Sequence, residues 1–263
     1  MSFMGAPDST RTPLSGTRPA GARDETDAAR HVREMFSRIA PRYDFLNHLL
    51  SLELDRLWRW RVARRFRRVL ARPEARVLDL CCGTGDLTLA LHRGGHARVF
   101  GSDFAHPMLT RAHEKARSSP SDSARGSAAL FAEADSLQLP FPGASFDLVT
   151  TAFGFRNLAS YERGLLEIAR VLRPGGEVAI LEFTEPHSAL LAPLYRFYFT
   201  RVLPRIGRAL SGHDLAYSYL PSSVARFPRA EELAALMSRS GLTDVRFELW
   251  TFGAIALHTA RRA

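Results

Sequence analysis

Val77-Leu78-Asp79-Leu80-Cys81-Cys82-Gly83-Thr84-Gly85-Asp86 is the stretch of sequence that decides the fold. It begins within a short apolar run, Arg76–Leu80, that has the length of a buried strand, and a helical pattern follows over Asp86–Arg93. The two glycines between them let the backbone turn tightly and approach a ligand without a Cβ in the way. A strand, a glycine loop and a helix in this order predict the first unit of a doubly wound α/β sheet.

Strands and helices alternate along the rest of the chain. The further predicted strands are Ala97–Asp103, Ala128–Ala134, Phe146–Ala152, Glu177–Phe183 and a closing hairpin of Val245–Trp250 and Ala254–Thr259. The predicted helices between them are Pro107–Ser118, a helix capped by Ser160 that ends at Pro174-Gly175-Gly176, and Arg229–Ser240. This alternation predicts an α/β, Rossmann-like fold with a seven-stranded, mostly parallel sheet and helices on both faces.

Three regions do not follow this alternation of strands and helices. Residues 1–24 are rich in Ser, Thr, Pro, Gly and Arg, a composition that predicts a disordered tail. Residues 25–263 are predicted to form one domain, in which residues 25–72 make a helical N-terminal region. Residues 184–228 contain an apolar, aromatic and basic stretch that predicts a helical cap insertion over the edge of the sheet.

A helix predicted over Leu57–Leu70 is rich in arginine. Trp58, Val62 and Phe66 form one apolar stripe, and arginines cover much of the remaining surface. Such a helix packs on the core with a solvated basic face, or it lies on a membrane surface, because basic amphipathic helices bind anionic headgroups. The sequence leaves both interpretations open.

The overall composition excludes several classes of protein. Apolar residues make up 46% of the chain, as in soluble globular proteins, and charges interrupt every apolar run before it could span a bilayer. Cys81 and Cys82 are adjacent, so neither a disulfide framework nor a cysteine zinc site is predicted, and the chain is interpreted as intracellular. His92 and His96 have no evident third ligand, and no metal site is predicted.

The net charge is +9, which draws attention to acidic partners: nucleic acid, anionic lipid or an anionic ligand. Lys115 is the only lysine among 36 basic residues. A bias this strong toward arginine has an alternative explanation in coding composition, so the charge by itself does not identify a partner.

Asp103 ends the second predicted strand, 20 residues beyond Gly83. At that position a carboxylate meets the ribose hydroxyls of an adenosine bound at the carboxyl edge of the sheet. A dinucleotide favours a third glycine, but Gly85 is followed by the acidic Asp86, and Asp79 suits the sulfonium and amino groups of S-adenosyl-L-methionine. The sequence therefore favours this methyl donor over a dinucleotide, and over a glycine turn without a ligand.

Several further motifs resemble those of a known family. They are Tyr43-Asp44-Phe45-Leu46-Asn47, Leu50-Ser51, Arg56-Leu57-Trp58-Arg59, Phe153-Gly154-Phe155-Arg156-Asn157-Leu158, Ala169–Gly176, Leu181-Glu182-Phe183, Val202–Gly207 and Tyr217-Ser218-Tyr219-Leu220. Over about Ala28 to Ala260, the chain resembles the ubiquinone/menaquinone biosynthesis C-methyltransferases, which have a class I methyltransferase fold. The resemblance implies methylation of a ring carbon of a polyprenylated quinol. Demethylmenaquinol is the expected substrate, and 2-polyprenyl-6-methoxybenzoquinol is the alternative.

The resemblance also implies site residues. It places contacts with the methyl donor on Thr84, Asp103, Asp135 and Ser136. A further donor-binding position is Ala152, where the family often has serine, so the side-chain contact of that serine is lost here. Asp135 and Ser136 also follow the third predicted strand, where polar side chains can hydrogen-bond an adenine ring. Three positions depart from the family's pattern: Glu53 stands where glycine is common, Asp55 where histidine is common, and His48 where aspartate is common.

Carbon methylation requires an electron-rich ring carbon, and deprotonation of a neighbouring hydroxyl supplies the electron density. A phenol-type hydroxyl titrates near pH 10, and an opposite charge nearby lowers such a pKa by about 1–3 units. Arg156, at the end of the fourth predicted strand, is the candidate for that charge, and its alternative role is that of a structural ion-pair partner. Asn157 is expected to orient the ring oxygen, and Tyr43 to close the site or relay a proton.

The expected partners are the polyprenylated quinol and a membrane surface, contacted peripherally from the cytoplasmic side, with a homodimer also considered. No specific nucleic acid is expected. Exocyclic-amine methylation uses an Asn/Asp-Pro-Pro-aromatic turn, which Thr151-Ala152-Phe153-Gly154 is not, and both cysteines lie away from the position that cytosine methylation requires. An RNA methyltransferase and a basic module that only binds membrane or nucleic acid are the minor alternatives.

Overall fold

Seven strands make up the sheet in the part of the chain that a computed structural model describes. The described residues are 16–19, 21–118, 128–184 and 214–263, with residues 186, 193, 197, 198, 201 and 205 between the last two ranges. In chain order the strands are β1 Arg76–Leu80, β2 Arg98–Asp103, β3 Leu130–Glu133, β4 Phe146–Ala152, β5 Leu172–Phe183, β6 Leu242–Trp250 and β7 Ile255–Arg262. Their order across the sheet is β3-β2-β1-β4-β5-β7-β6.

Parallel pairing runs from β3 to β5, and β7 pairs antiparallel with both β5 and β6. The register places Leu80 of β1 beside Ser102 of β2 and Thr151 of β4. The carboxyl ends of these three strands therefore meet at one edge, which is where ligands bind in a doubly wound sheet. The predicted mostly parallel, seven-stranded sheet and its closing hairpin are confirmed.

Helices cover both faces of the sheet. They are α1 Glu25–Ile39, α2 Tyr43–Leu50, α3 Leu54–Arg65, α4 Arg67–Leu70, α5 Asp86–Arg93, α6 His106–Arg117, α7 Tyr161–Val171, α8 Asp214–Arg226 and α9 Ala230–Arg239. On one face α3 and α5 bury Trp58, Val62 and Leu91, and on the other α7 and α9 bury Leu165 and Leu233. Burial of apolar surface on both faces stabilises the sheet and fixes the edge that carries the site.

The helix predicted over Leu57–Leu70 is interrupted in the structure. It begins earlier, at Leu54, and Phe66 separates α3 from α4 with backbone angles of φ −96° and ψ 17°. The Phe66 ring is buried in the core between these helices and the sheet. Periodicity alone could not reveal this break, because both halves keep the same apolar stripe.

The helix expected to end at Pro174-Gly175-Gly176 ends earlier, at Val171. Leu172 is already the first residue of β5 and pairs with Phe146 of β4. Strand pairing therefore outweighs the helical periodicity of this segment, and Pro174 lies within β5. The predicted cap by Ser160 is confirmed, since its Oγ accepts the N–H of Arg163 at 3.4 Å.

The predicted tail and cap lie largely outside the described residues. Of residues 1–24, the structure describes 16–19 and 21–24, where Thr17 is buried and its N–H donates to the carbonyl of Leu158 at 2.7 Å. Of the predicted cap, residues 214–228 and a few isolated positions are described. The domain boundaries at residues 24, 72, 184 and 228 therefore stay predictions.

Among the described residues, no helix combines the length and apolar character that crossing a membrane requires.

Candidate functional site

The loop between β1 and α5, residues 81–85, turns on two glycines and is called the donor loop. Gly83 and Gly85 have φ angles of 55° and 83°, in the left-handed region that glycine adopts readily. A Cβ on Gly85 would come within 3.0 Å of the Phe131 ring and 3.1 Å of Ala112, so packing also restricts this position. Gly83 borders a cavity beneath Tyr43 instead. Gly85 thus shapes the donor loop, and Gly83 exposes its backbone to a ligand.

Asp103 at the end of β2 is held by backbone groups. Its Oδ2 accepts the N–H of Gly83 and its Oδ1 accepts the N–H of Ala105, each at 2.9 Å. Burial raises the pKa of Asp103 to about 6, although these N–H donors favour the ionised form. The carboxylate is therefore oriented in advance, and its oxygens keep lone pairs that can accept ribose hydroxyls.

A cavity opens between the donor loop and Asp103 and is called the cofactor cavity. Polar and apolar side chains face each other across it. Its lining includes Phe36, Tyr43, Gly83, Asp103, Met108, Asp135, Ser136, Leu137 and Asn157. The predicted contacts Asp103, Asp135 and Ser136 are thus brought together. A carboxylate for ribose, a polar pair and apolar walls for a planar base fit the adenosine of S-adenosylmethionine.

Asp79 lies on the other side of the donor loop and is 1% exposed. Its two oxygens accept the hydroxyls of Thr150 at 2.9 Å and Thr88 at 2.7 Å. Burial nevertheless raises the pKa of Asp79 to about 7. A small recess here is lined by Asp79, Thr84 and Ala152 and shares its Tyr43 and Gly83 walls with the cofactor cavity. A carboxylate at this end suits the cationic amino group of the methyl donor.

Thr84 ties the donor loop to α2. Its hydroxyl donates to Asp44, and Lys115 of α6 donates to Thr84 at 3.1 Å and to Asp44 at 2.9 Å. Lys115 also contacts Asp86 at the start of α5. Asp44 and Lys115 were not predicted as site residues. Lys115 stands out in the sequence as the only lysine of an arginine-rich chain. Its partners lie 29 to 71 positions away, so no local sequence pattern connects it with them.

His48 and Asp55, two of the departures from the family's pattern, contact each other. Nδ1 of His48 lies 2.8 Å from Oδ2 of Asp55. The two departures are therefore neighbours in the structure and form one hydrogen-bonded pair. Ligand atoms of His48, Asp55 and Asp86 lie within 4.8 Å of one another, but the Arg59 guanidinium contacts both carboxylates. A cation thus already neutralises this cluster, which we interpret as an ion-pair network rather than a metal centre.

The Phe153-Gly154 pair turns the chain at the end of β4. Phe153 adopts a left-handed backbone with φ of 60°, and a Cβ on Gly154 would lie 2.3 Å from the Cβ of Cys81. Glycine is therefore required where β4 meets the donor loop. This turn brings Arg156 and Asn157, on the short 3-10 helix Phe155–Asn157, to the edge of the sheet.

A second cavity, of about 270 Å³, adjoins the first and is called the apolar cavity. Its walls include Leu52, Leu54, Trp58, Phe153, Phe183 and Leu220. The Phe153 ring lies 4.8 Å from Phe183 and 5.8 Å from Trp58, centroid to centroid. Tyr43 and Phe153 line both cavities, so a molecule in one can meet a molecule in the other between these two rings.

Arg156 lines the apolar cavity and forms a buried ion pair. Its Nη1 lies 3.0 Å from Oε2 of Glu182 and donates to the carbonyl of Phe153. Burial lowers the pKa of Arg156, but the Glu182 charge and hydrogen bond together with the neighbouring Tyr43 and Tyr219 outweigh burial and raise this pKa, so the guanidinium stays charged. Its Nε has no hydrogen-bond partner among the described residues. Arg156 is thus both an ion-pair partner and a buried cation beside the apolar cavity. Glu182 was not predicted as a site residue.

Tyr43 lines both cavities, and Asn157 lines the cofactor cavity. The Tyr43 hydroxyl hydrogen-bonds with Asn47, and burial raises the pKa of Tyr43, so the phenol stays protonated near neutral pH. Oδ1 of Asn157 accepts the Tyr219 hydroxyl at 3.1 Å. Tyr219 in turn hydrogen-bonds with Thr17 at 2.8 Å. Both predicted residues are therefore held in place, and their catalytic roles stay predictions.

The two cysteines of the donor loop are free. Burial raises the pKa of Cys81 and of Cys82 above the usual range of a thiol. Both therefore stay protonated near neutral pH, which is unfavourable for nucleophilic catalysis because the thiolate is the reactive form.

Relatives of this chain are found among methyltransferases. Residues 23–262 match the model of the ubiE/COQ5 methyltransferase family. A demethylmenaquinone methyltransferase of Thermus thermophilus is 50% identical over 229 residues, which cover 87% of this chain and 100% of the relative. One of Deinococcus radiodurans is 47% identical over 88% and 92% of the two chains, and the ubiquinone/menaquinone biosynthesis C-methyltransferase UbiE of Geobacter sulfurreducens is 42% identical over 90% of each.

Solved structures share the fold. A SAM-dependent methyltransferase of Thermotoga maritima superposes with a TM-score of 0.60 at 17% identity, covering 89% of this chain and 100% of that chain. The cyclase SpnF superposes with a TM-score of 0.64 at 18% identity, covering 89% and 96%. At such identities the likeness concerns the fold alone, which is the Rossmann-like fold of class I methyltransferases and which also supports cyclase chemistry.

Proposed function

The chain belongs to the ubiE/COQ5 methyltransferase family, and on that basis we propose that it methylates a ring carbon of demethylmenaquinol to give menaquinol. S-adenosylmethionine supplies the methyl group as an electrophile. A ring C–H bond is replaced by a C–CH3 bond, the proton passes to solvent, and S-adenosylhomocysteine is released. The relatives at 50% and 47% identity are named for demethylmenaquinone.

The observation that carries this proposal is the junction of the two cavities. The polar cofactor cavity and the apolar cavity share Tyr43 and Phe153, and Arg156 lies in the apolar one. A flat aromatic substrate with a long apolar chain matches aromatic walls that continue into an open apolar space.

The residues of this chain have separable roles in the reaction. The buried cation of Arg156 favours the ionised form of a quinol hydroxyl, which increases the electron density of the adjacent ring carbon. Glu182 positions that cation, and Asn157 offers an amide to a ring oxygen. The aromatic walls exclude water from the reacting carbon, so methyl transfer to water does not compete.

The experiment supplies the purified full chain with S-adenosylmethionine and a short-chain demethylmenaquinol under reducing conditions. A parallel reaction contains a short-chain 2-prenyl-6-methoxybenzoquinol, because the relative at 42% identity is named for ubiquinone as well as menaquinone. We expect ring-methylated naphthoquinol, detected by mass spectrometry, and a lower kcat/KM with the benzoquinol. The proposal fails if the chain binds S-adenosylhomocysteine but methylates neither quinol.

A further inference from the structure

Two loops with exposed apolar side chains border the mouth of the apolar cavity. Leu52, before α3, is 76% exposed, and Phe252, between β6 and β7, is 83% exposed. Thr251 and Ala254, on either side of Phe252, line the same cavity as Leu52, so the two loops meet at its opening. Large apolar side chains this exposed around one opening indicate an interaction surface.

Hydrogen bonds hold the second loop in place against α3. Nε1 of Trp58 donates to Oγ1 of Thr251 at 2.9 Å, and the N–H of Ala254 donates to the carbonyl of Thr251 at 3.0 Å. Leu52 and Phe252 have φ angles of 52° and 56°, in the left-handed region that apolar residues rarely adopt. Their outward orientation is therefore built into the fold.

The exposed face of α3 continues this surface with a mixed composition. Leu57 and Trp60 are 42% and 51% exposed and are interleaved with Arg61 and Arg64. The Arg64 guanidinium lies 5.2 Å from the Trp60 ring, and that of Arg61 lies 5.6 Å from the Trp250 ring. Tryptophan side chains favour the headgroup level of a bilayer, and arginine side chains are attracted to anionic headgroups.

The charge of this surface is positive. Arg56 pairs with Glu53 at 2.9 Å, whereas Arg61 and Arg64 have no acidic partner within the part of the chain that the structure describes. A groove along α3 is lined by six arginine and lysine residues, among them Arg64 and Arg67, and by the carboxylates of Asp44 and Asp86, so cations are in excess there. Arginines whose charge no carboxylate neutralises are available to anionic headgroups, which attract them within about a Debye length of the membrane surface.

We propose that the surface around this mouth docks onto an anionic lipid bilayer, so that the apolar cavity opens toward the hydrocarbon. This docking face comprises Leu52, Leu57, Trp60, Arg61, Arg64 and Phe252. The inference rests on the proposed function, because a polyprenylated quinol resides in the bilayer and reaches the cavity from there. An RNA would use the two arginines but would leave the exposed leucines and Phe252 in water.

Co-sedimentation of the full chain with lipid vesicles tests the docking face. We expect binding to phosphatidylcholine vesicles that contain phosphatidylglycerol, weaker binding without it, and weakening at high salt. Arg61→Gln with Arg64→Gln should weaken binding about 25-fold, the effect expected of two arginines at an anionic surface. Leu57→Ser with Phe252→Ser should weaken binding at least about tenfold through lost apolar contact.

Matched control variants lie elsewhere on the molecule. Leu166 is 51% exposed on α7, which packs against the opposite face of the sheet from α3. Arg117 and Arg239 are exposed near the ends of α6 and α9. Leu166→Ser, and Arg117→Gln with Arg239→Gln, should leave vesicle binding unchanged. Equal losses in the control and docking-face variants would overturn the inference.

Activity with two forms of substrate separates this inference from the proposed function. With a short-chain quinol in solution, docking-face variants should turn over like the wild type, and with a long-chain quinol in vesicles they should lose activity. A wild type inactive on both forms rejects the proposed function. Variants with wild-type vesicle binding and activity reject the docking face alone. Docking-face variants that change the oligomeric state but bind vesicles like the wild type also reject the docking face, and they assign this surface to contact with a second copy of the chain.

Discussion

Nη1 of Arg156 lies 3.0 Å from Oε2 of Glu182, and the backbone N–H of Arg156 donates to the other oxygen of the same carboxylate at 3.1 Å. Glu182 thus fixes both the main chain and the side chain of Arg156. The two side chains are 7% and 1% exposed, so salt in the solvent screens this pair little. The position of the cation beside the apolar cavity is therefore set by a residue 26 positions away in the sequence.

Arg156→Gln tests the role of this cation. Its loss should return the pKa of a quinol hydroxyl toward 10, so that turnover at pH 7 falls about 10- to 1000-fold, whereas the affinity for S-adenosylhomocysteine stays unchanged. The deficit should shrink at pH 9, where more quinol is ionised without help. The double variant Arg156→Gln with Glu182→Gln removes the uncompensated buried carboxylate and controls for stability. An equal relative loss at both pH values would contradict the electrostatic role.

Asp79→Asn should stabilise the protein while weakening its binding of the methyl donor. Burial raises the pKa of Asp79 from 3.8 to about 7, so the unfolded chain loses this proton at a lower pH than the folded protein does. The free energy of unfolding therefore decreases as the pH rises from about 4 to about 7, and the full loss is present above about pH 7. The asparagine should therefore increase the free energy of unfolding by roughly 2–4 kcal/mol at pH 8, and by less than half as much at pH 5. Urea denaturation at the two pH values measures this, and a destabilised variant at pH 8 would contradict the assignment.

Lys115→Gln should loosen the contact between α2 and the donor loop. Without the ammonium group, Asp44 and Asp86 lose a shared partner, and Thr84 is held less firmly. We expect S-adenosylhomocysteine to dissociate about 3- to 10-fold faster, with less than about 1 kcal/mol lost in stability because the pair is partly exposed. Stopped-flow displacement measures the rate. Lys115→Arg, which keeps the charge, should behave more like the wild type than the glutamine variant does.

Glu53→Gly should stabilise the fold slightly. Glu53 has a φ of 63°, which explains why glycine is common at this position in the family's pattern. A residue with a Cβ in the left-handed conformation lowers the free energy of unfolding by about 1–2 kcal/mol. Glycine removes this strain, but its greater freedom in the unfolded chain offsets about 0.5–1 kcal/mol of the gain. We therefore expect the free energy of unfolding to increase by about 0.5–1 kcal/mol. Glu53→Ala keeps the Cβ and should show no gain. Equal effects of the two substitutions in chemical denaturation would show that backbone strain is not the cause.

Local patterns predicted the elements that depend on local chemistry. The bounds of β1, α5 and β4 agree with the sequence analysis because glycine and apolar runs delimit them. The start of β5 at Leu172 was not predictable from periodicity, since it depends on pairing with β4. The sequence also predicted that Asp103, Asp135 and Ser136 would lie together, because the carboxyl ends of parallel strands meet at one edge.

Contacts between distant segments could not be predicted in the same way. In the sequence, Glu182 is a single polar residue within an apolar predicted strand. Its ion pair with Arg156 forms because β5 lies beside the end of β4 in the folded sheet. The link from Asp44 through Lys115 to the donor loop joins α2, α6 and α5, and no motif contains all three. Packing of elements, rather than local propensity, creates these interactions.

The account depends on Asp103 as the carboxylate that holds the methyl donor. Its pKa is raised to about 6, so it is ionised at pH 8 and largely protonated at pH 5, and ribose hydroxyls donate to the ionised form. Calorimetry of S-adenosylhomocysteine binding should show wild-type affinity falling as the pH drops through 6. At pH 8 Asp103→Asn should bind about 10- to 100-fold more weakly, and its remaining pH dependence should reflect Asp79. Wild-type affinity in Asp103→Asn at pH 8 would contradict the proposed location of the donor.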